Sequence, residues 1–347
     1  MNTVTIAVDL AKNVFELAVS SNGRITESRR LTRTQFERFW ILRPPCRVVM
    51  EACASAHFWG RQLRNRGFDV ALLPARYVRP YRRRNKTDRA DCEALLEAAR
   101  CGGIHPVAIK SEEQQSLLAL HRMRAQWMAT RTARINSMRA LLHEFGITAL
   151  GGPKRFLGAL HMIVDTHKQR LPLRVRSALH ALHAEVKVLE CNIKELEADL
   201  ALIAEQEPTI QQMIRIPGVG LLTATAIFAS VTDIHAFRNG RCFACWLGLT
   251  PREFSSGSTR RIGRISKQGD SYLRTLLVHG ARAALLSARR AQAARKPTTQ
   301  LQTWALQRSS LQHQNQAVVA LANKLARIIW AVWYHDRSFD GNFAGAA

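Results

Sequence analysis

Two short apolar runs in the first fifty residues each end on an acidic residue. Val4, Ile6 and Val8 lead into Asp9 in TIAVDLAK, and Val48, Val49 and Met50 lead into Glu51 in RVVMEA. Their pattern predicts strands. A carboxylate at the end of a buried-looking strand is costly unless a cation compensates it. A second acidic pair, Asp88 and Asp91 in NKTDRADCEALLEAAR, lies three residues apart in a helical stretch, so both project from one helix face. Four such carboxylates can converge on two divalent cations, the arrangement that activates a nucleophile and stabilises a leaving oxygen in phosphodiester chemistry. Taken singly, each acid could equally be a turn former or part of a solvated helix face. The helical pair, however, lies among Arg79, Arg82, Arg83, Arg84, Lys86 and Arg89, an odd place for idle acids.

The order of elements carries the argument further. Residues 3 to 9, 14 to 20 and 24 to 31 read as three strands, the first hairpin turning at Ala11-Lys12-Asn13 and the second at Asn22-Gly23. A helix over 33 to 42, a strand to Glu51, a helix over 57 to 66, a strand over 69 to 73 and the helix of Asp88 and Asp91 complete the series. Three meandering strands followed by alternating helix and strand is the order of a ribonuclease-H-like α/β fold. In that order the first strand, the fourth strand and the last helix bring their acids to one sheet edge.

Composition narrows the substrate. The 347 residues hold 51 Lys and Arg against 26 Asp and Glu, a formal net charge of +25, which points to a polyanion. The excess is segregated. Residues 250 to 296 carry eleven Lys or Arg against Glu253 and Asp270, a local net of +9, whereas residues 185 to 207 carry seven acids against Lys187 and Lys194, a net of −5. Basic segments are expected to face nucleic acid and the acidic one to serve another purpose. No amino-terminal run resembles a signal peptide, and no stretch is expected to reach the roughly 18 to 20 apolar residues of a membrane span, so the chain reads as cytosolic and soluble. Seven cysteines, an odd number, read as reduced thiols; Cys242 and Cys245 form a lone C-x-x-C that lacks the partners of a zinc site.

From Ser111 the chain turns helical. Ser111 with Gln114 predicts a capping box, and Leu117, Leu120, Trp127, Ile135, Met138, Leu142 and Phe145 form an apolar stripe. Val175, Leu179, Leu182, Val186, Leu189, Ile193, Leu196, Leu200 and Ile203 then make a heptad seam over four repeats, which suits pairing within the chain or between chains equally. Beyond Pro208, Ile216-Pro217-Gly218-Val219-Gly220 is similar to the turn of a helix-hairpin-helix, whose amides at Gly218 and Gly220 can cradle a phosphate, although a plain interhelical turn also uses Pro and Gly. A loop with Ser255, Ser256 and Gly257 runs into TRRIGRISKQG. No triad accompanies these serines, yet guanidinium groups crowding a loop hydroxyl can hold a scissile phosphate. The fold class expected is therefore α/β plus all-α, with a ribonuclease-H-like domain over 1–108, a helical coiled-coil assembly region over 109–207 and a mainly helical domain with a helix-hairpin-helix-like motif over 208–340.

These motifs together resemble the DEDD insertion-sequence transposases related to the Piv DNA invertases, the bridge-RNA-guided serine recombinases. The resemblance runs almost the whole length: DLAK, the Glu of RVVMEA, NKTDRADCEALLEAAR, the helical middle, IPGVGLLTATAIFAS and WLGLTPREFSSGSTRRIGRISKQGDSYLRTLLVHGA. Only TRRIG departs from the GGK-type continuation expected after SSG, which bears on basic contacts rather than chemistry. The resemblance implies a RuvC-like domain whose Asp9, Glu51, Asp88 and Asp91 bind Mg²⁺. It also implies a carboxy-terminal transposase domain whose serine, Ser256 with Ser255 as the alternative, links covalently to DNA. It further implies a composite active site between protomers, a homo-oligomer from dimer to tetramer, donor and target double-stranded DNA as substrates, a noncoding guide RNA made by the element, and no membrane. Arg82, Arg83, Arg84, Lys86, Gly218, Gly220, Arg260, Arg261, Arg264, Lys267 and Arg274 are the expected nucleic-acid contacts. Two rivals are a Holliday-junction resolvase, with the same acids and metal-activated water, and a non-enzymatic helix-hairpin-helix binder. The resolvase leaves the long second domain unexplained, and the binder leaves the four acids unexplained.

Overall fold

The computed structural model describes residues 4–82 and 87–341. The chain divides into two compact units, Met1–Glu112 and Glu113–Ala347.

The first unit is built on a five-stranded sheet in the order β3-β2-β1-β4-β5, with β1 (Val4–Leu10), β2 (Val14–Ser21), β3 (Arg24–Thr32), β4 (Arg47–Glu51) and β5 (Asp69–Leu73). The first three strands form an antiparallel meander, and β4 and β5 join β1 in parallel. Asn22 and Gly23, with φ of 48° and 81°, give the β2–β3 turn the left-handed backbone that an Asn-Gly hairpin requires. Helix α1 (Arg33–Phe39) begins with a capping box between Thr32 and Gln35 and ends sooner than its sequence pattern suggested. Together with α2 (Ala56–Arg64) it covers one sheet face, where Phe15, Phe36, Trp40 and Trp59 interlock edge to face and in a stack around Ile6, Val8, Val48 and Met50. The other face carries smaller residues, Ala7, Ala18, Val49 and Ala71. They receive α4 (Asp88–Arg100), which follows the short α3 (Ala75–Val78). Small residues under α4 let the helix approach closely, and the approach brings its first turn over the strand ends.

The second unit is helical except for one hairpin. Helix α5 (Glu112–Glu144) runs antiparallel to α7 (Leu173–Gln206), with α6 (Pro153–Thr166) closing their far end. Leu179 and Val186 pack with Ile135, Met138, Leu142, Phe156 and Leu160, and Leu196 and Leu200 pack with Leu117. The heptad seam is thus used within the chain. The acidic stretch also has a purpose: Glu197, Glu190 and Glu185 pair in turn with Arg124, Arg131 and Arg134 of α5. Surface pairs contribute at most about 1 kcal/mol each, so the seam stabilises the hairpin and the charges fix its direction. The side-chain amide of Gln114 donates to the carbonyls of Phe228 and Val231 at 3.3 and 3.1 Å and so ties α5 to the end of α9.

The remaining elements surround one large core: α8 (Pro208–Ile214), α9 (Leu221–Ser230), α10 (Gly240–Trp246), the hairpin β6 (Pro251–Glu253) and β7 (Ile262–Ile265), α11 (Ser271–Ala293), α12 (Gln300–Leu311) and α13 (Gln314–Tyr334). The sequence reading of no span-length apolar stretch needs correction. Helix α13 is long and apolar enough to cross a membrane, with a mean hydropathy of 1.3. Its Val318, Leu321, Leu325 and Ile329 are fully enclosed by this core, which accounts for the apolar length without a bilayer.

His121 of α5 is buried between α9 and α11. Thr225 donates to the Leu221 carbonyl at 2.7 Å, so its oxygen receives the Nε2–H of His121 at 3.0 Å and leaves Nδ1 to accept from the Tyr272 hydroxyl at 3.0 Å. This pattern satisfies both ring nitrogens with the ring neutral. Burial, with Arg124 adding repulsion, lowers its pKa from 6.5 to about 4. An unfolded chain therefore binds this proton near pH 6.5 and the folded chain only near pH 4, so the neutral ring's contribution is complete above pH 6.5 and is lost as pH falls through that window. Denaturant titrations at pH 7 and 4.5 should show the wild-type chain losing up to about 3 kcal/mol more than His121→Gln. Equal losses would remove His121 as the cause.

Candidate active site

Strand parity decides where the acids point. In β1, Ala7 faces α4, so Asp9, two residues on, faces α4 as well. In β4 the same holds for Val49 and Glu51, and the parallel register Val8↔Met50 sets Asp9 and Glu51 side by side on strands about 5 Å apart. Helix α4 lays its buried face, with Asp91, Cys92 and Leu95, over this sheet face. Cys92 donates to the Glu16 carbonyl at 3.2 Å, and its thiol is pushed up first by burial and then by the carboxylates of Asp9, Glu16 and Asp91. Cys53, just past Glu51, is also pushed up, by burial first and then by Glu51 and Asp9. Asp9, Glu51 and Asp91 therefore belong to one electrostatic neighbourhood. Asp88 stands one turn earlier in α4 and is exposed.

Sequence reading missed a further acid there. The antiparallel register Asp9↔Glu16 puts Glu16 directly across from Asp9 on the same face. The hairpin alternation of β1 and β2 holds that signal, once Leu10 is set opposite Phe15 with the four residues 11–14 between them.

Arg82 answers Asp91. The carboxylate is 9% exposed, and the guanidinium of Arg82 forms an ion pair with it. Arg82, expected among the nucleic-acid contacts, here sets its positive charge against this buried acid. Among the described residues, no group of three or more His, Cys, Asp or Glu is drawn to a common point that would hold a metal ion. In kind, the donor set does suit one, because carboxylate oxygens grouped on one face match a hard divalent cation. Thr87 caps α4 by accepting from the Ala90 amide at 3.2 Å, and Asp88 and Asp91 also complement the helix dipole. Arg83, Arg84 and Lys86 lie outside the described residues.

The serine loop lies at the exposed tip of the β6–β7 hairpin in the second unit. The Ser255 hydroxyl donates to Glu253 Oε1 at 2.8 Å and accepts the Arg261 amide at 3.2 Å, while Arg260 Nε donates to the same carboxylate oxygen at 3.2 Å. Those contacts hold the Glu253 carboxyl below its ordinary range, the Ser255 hydrogen bond first and Arg260 next. Ser256 differs from its neighbour. Its backbone closes a turn with Thr259 at 3.2 and 3.1 Å around Gly257, whose φ is 56°, and its hydroxyl makes no hydrogen bond among the described residues. One serine braces the hairpin; the other presents a hydroxyl to solvent.

The other expected contacts divide between support and surface. Arg274 donates to the carbonyls of Leu247 and Gly269 at 3.2 and 3.4 Å and so anchors the start of α11. Gly218, with φ of 91°, packs its turn on α11, where a Cβ at Gly280 would come within 1.9 Å of the Gly218 carbonyl oxygen. Gly220 is the exposed amino-terminal cap residue of α9. Arg261 is exposed on the hairpin, and Arg264 and Lys267 line a large cavity beside it.

Residues 211–296 match the model of the Transposase IS116/IS110/IS902 family, and residues 6–147 match a second transposase model, that of the IS110 DEDD type. A probable family 20 transposase of Pseudomonas aeruginosa is 41% identical over 334 residues, covering 96% of this chain and 97% of that protein. The chain belongs to the IS116/IS110/IS902 transposase family. Two further relatives of this transposase are the transposase for insertion sequence element IS1111A of Coxiella burnetii, 38% identical over 96% of this chain and 90% of that protein, and the transposase for IS1328 of Yersinia enterocolitica, 34% identical over 95% and 97%. It is an insertion-sequence transposase, an enzyme acting on DNA.

Arg82→Gln should leave the Asp91 carboxylate without its partner and lower stability by about 1 to 3 kcal/mol, since losing one member of a largely buried pair strands the other. Adding Asp91→Asn should recover most of that loss. Independent, additive losses in thermal or denaturant melts would show that the two side chains do not compensate each other.

Proposed function

We propose that this transposase cleaves, exchanges and rejoins DNA strands through a covalent link between Ser256 and a DNA phosphate, with Ser255 as the alternative attachment point. The observation that carries the reading is the contrast at the hairpin tip, where the Ser255 hydroxyl is held by Glu253 and Arg261 while that of Ser256 is unengaged. In this reaction Ser256 Oγ attacks phosphorus and gives its proton to water, and one deoxyribose oxygen of the strand leaves as a hydroxyl, taking a proton from water. The phosphoester energy is kept in the serine ester, so the hydroxyl of another strand can reverse the step without an external energy source. Arg261 and Arg264 supply the positive charge that the phosphate needs as it gains negative charge in the transition state.

Asp9, Glu51, Asp91 and Asp88 would hold Mg²⁺, which supplies Lewis-acid stabilisation of developing charge on phosphate oxygens. Such an ion would supply to Asp91 the positive charge that Arg82 now gives it. The sheet order of the first unit, with α4 laid across it, supports a ribonuclease-H-like, RuvC-like fold for this domain. The remaining parts of the reading follow the sequence resemblance: recognition of donor and target DNA through a guide RNA made by the element, a homo-oligomer of dimers, and action in the cytoplasm at the nucleoid. Base pairing would then carry sequence choice while the protein holds RNA shape and DNA backbone. The resolvase alternative keeps the acids but gives the serine hairpin no task.

The test is a denaturation-resistant protein–DNA adduct. Wild-type chain with its DNA and RNA should yield one, mapped by mass spectrometry to the peptide spanning Phe254 to Arg260, while Ser256→Ala should still bind but form none, and Asp9→Ala should lose strand transfer at least a hundredfold. Cleavage without any adduct would return the reaction to metal-activated water.

A further inference from the structure

A cavity in the second unit lies between the β7 side of the hairpin and helices α12 and α13, with a volume of about 2230 Å³. Small-molecule pockets occupy about 300 to 1,000 Å³, so this one has room for a segment of polymer. Its lining contains seven Lys or Arg and a single acid, Asp340. Arg264 and Lys267 enter from the hairpin side, and Arg308, Lys324 and Arg327 from the two helices. Among the described residues Arg308, Lys324 and Arg327 have no carboxylate partner, in contrast to Arg124, Arg131 and Arg134 of α5, each of which has one.

Trp304 sits among these charges, half-buried. The Lys324 ammonium lies 4.3 Å from its ring centroid and the Arg308 guanidinium 5.7 Å. Lys324 is depressed below its ordinary range by burial first, and then by Arg327 and Arg308. Three like charges this close, none of them in an ion pair among the described residues, gain most from an anion that neutralises several at once. Phosphodiesters do so at regular spacing. Trp304 adds a selection among polynucleotides, because a ring recessed between two helices can be reached by the face of an unpaired base, whereas the stacked bases of a duplex cannot leave their helix to meet it.

We propose that this cavity binds an unpaired segment of polynucleotide, its phosphates on Arg308, Lys324 and Arg327 and a base against Trp304. The cavity adjoins the serine hairpin through Arg264 and Lys267 and includes neither Ser255 nor Ser256. It rests on the reading that the chain acts on nucleic acid, and it adds which form is bound here. Arg264 and Lys267 belong to both the cavity and the strand leading back from the serine tip, so an occupied cavity would hold that strand of the hairpin in place.

The experiment measures fluorescence anisotropy of labelled twelve-nucleotide oligo-dT, oligo-U and a twelve-base-pair duplex with the full chain, over a salt series. The variants are Arg308→Gln with Arg327→Gln, both at exposed positions, and separately Trp304→Leu, each checked for a wild-type melting profile. The double variant should weaken single-strand binding about tenfold and make the logarithmic salt slope shallower by about 1.4, the value for two lost phosphate contacts. Trp304→Leu should weaken it about fivefold with an unchanged slope, as expected for a lost stack. Duplex binding should change less than twofold in both. Comparing oligo-dT with oligo-U tells whether the occupant is DNA or RNA. Unchanged single-strand affinity in the double variant, with wild-type binding intact, overturns the cavity alone. Equal losses for duplex and single strand make it a duplex phosphate site and overturn the selection for unpaired bases. A wild-type chain that binds none of the three overturns the nucleic-acid reading and the cavity with it. If Trp304→Leu does not fold, the two arginine substitutions still decide.

Discussion

Carboxylates gathered on one half-buried face of a sheet repel one another, and the architecture of the first unit is arranged around that repulsion. Parity in β1, β2 and β4 makes Asp9, Glu16 and Glu51 share the face that α4 covers, and α4 adds Asp91 from above. Small residues beneath the helix allow the approach, yet the same closeness raises the electrostatic cost of each acid. Arg82 relieves Asp91, and the dipole at the start of α4 favours negative charge there. A fold that only needed to be stable would place apolar residues here, since replacing a buried ion pair with apolar groups of similar volume is commonly neutral or favourable. The proposed cation site would give these acids a purpose beyond stability.

The second unit solves a different problem, how to present an exposed loop rigidly. Its hairpin carries few buried side chains of its own, so its order comes from polar contacts: the Ser255, Glu253 and Arg260 group, and Arg252 donating to the Ser266 carbonyl at 2.9 Å. Behind it, Arg274 ties the start of α11 to the end of α10, and the close contact of Gly218 with Gly280 seats the α8–α9 turn on α11. His121 then joins α5 to α9 and α11 through two hydrogen bonds. Each contact is local, but together they fix the frame from which the serine projects.

Much of the first unit could be read from the chain because its signals are local. The Asn22-Gly23 turn, the alternation of β1 and β2 and the run ending at Glu51 each determine an element without reference to distant residues. Glu16 was missed because its proximity to Asp9 depends on register across a turn. The Arg82–Asp91 pair was not foreseen because a basic run gives no hint of which member folds back on an acid. In the helical region, the heptad seam of α7 could not name its partner; the matching arginines of α5 lie about sixty residues away, a separation invisible to periodicity. Helix α13 reached span length unnoticed because its apolar residues are interrupted by Asn323, Lys324 and Arg327. The two serines are adjacent and chemically identical, and only hydrogen bonding separates them.

The central claim is that the α4-facing carboxylates form a site that takes up a divalent cation. Binding of Mn²⁺, a spectroscopic stand-in for Mg²⁺, to the full chain can be followed by the loss of its free-ion electron paramagnetic resonance signal. Saturable binding should appear in the wild-type chain, tighten in Arg82→Gln, and fall at least tenfold in Asp9→Asn and in Glu51→Gln while their melting profiles remain those of a folded protein. Binding that is absent from the wild-type chain, or unaltered by either carboxylate substitution, would contradict the account.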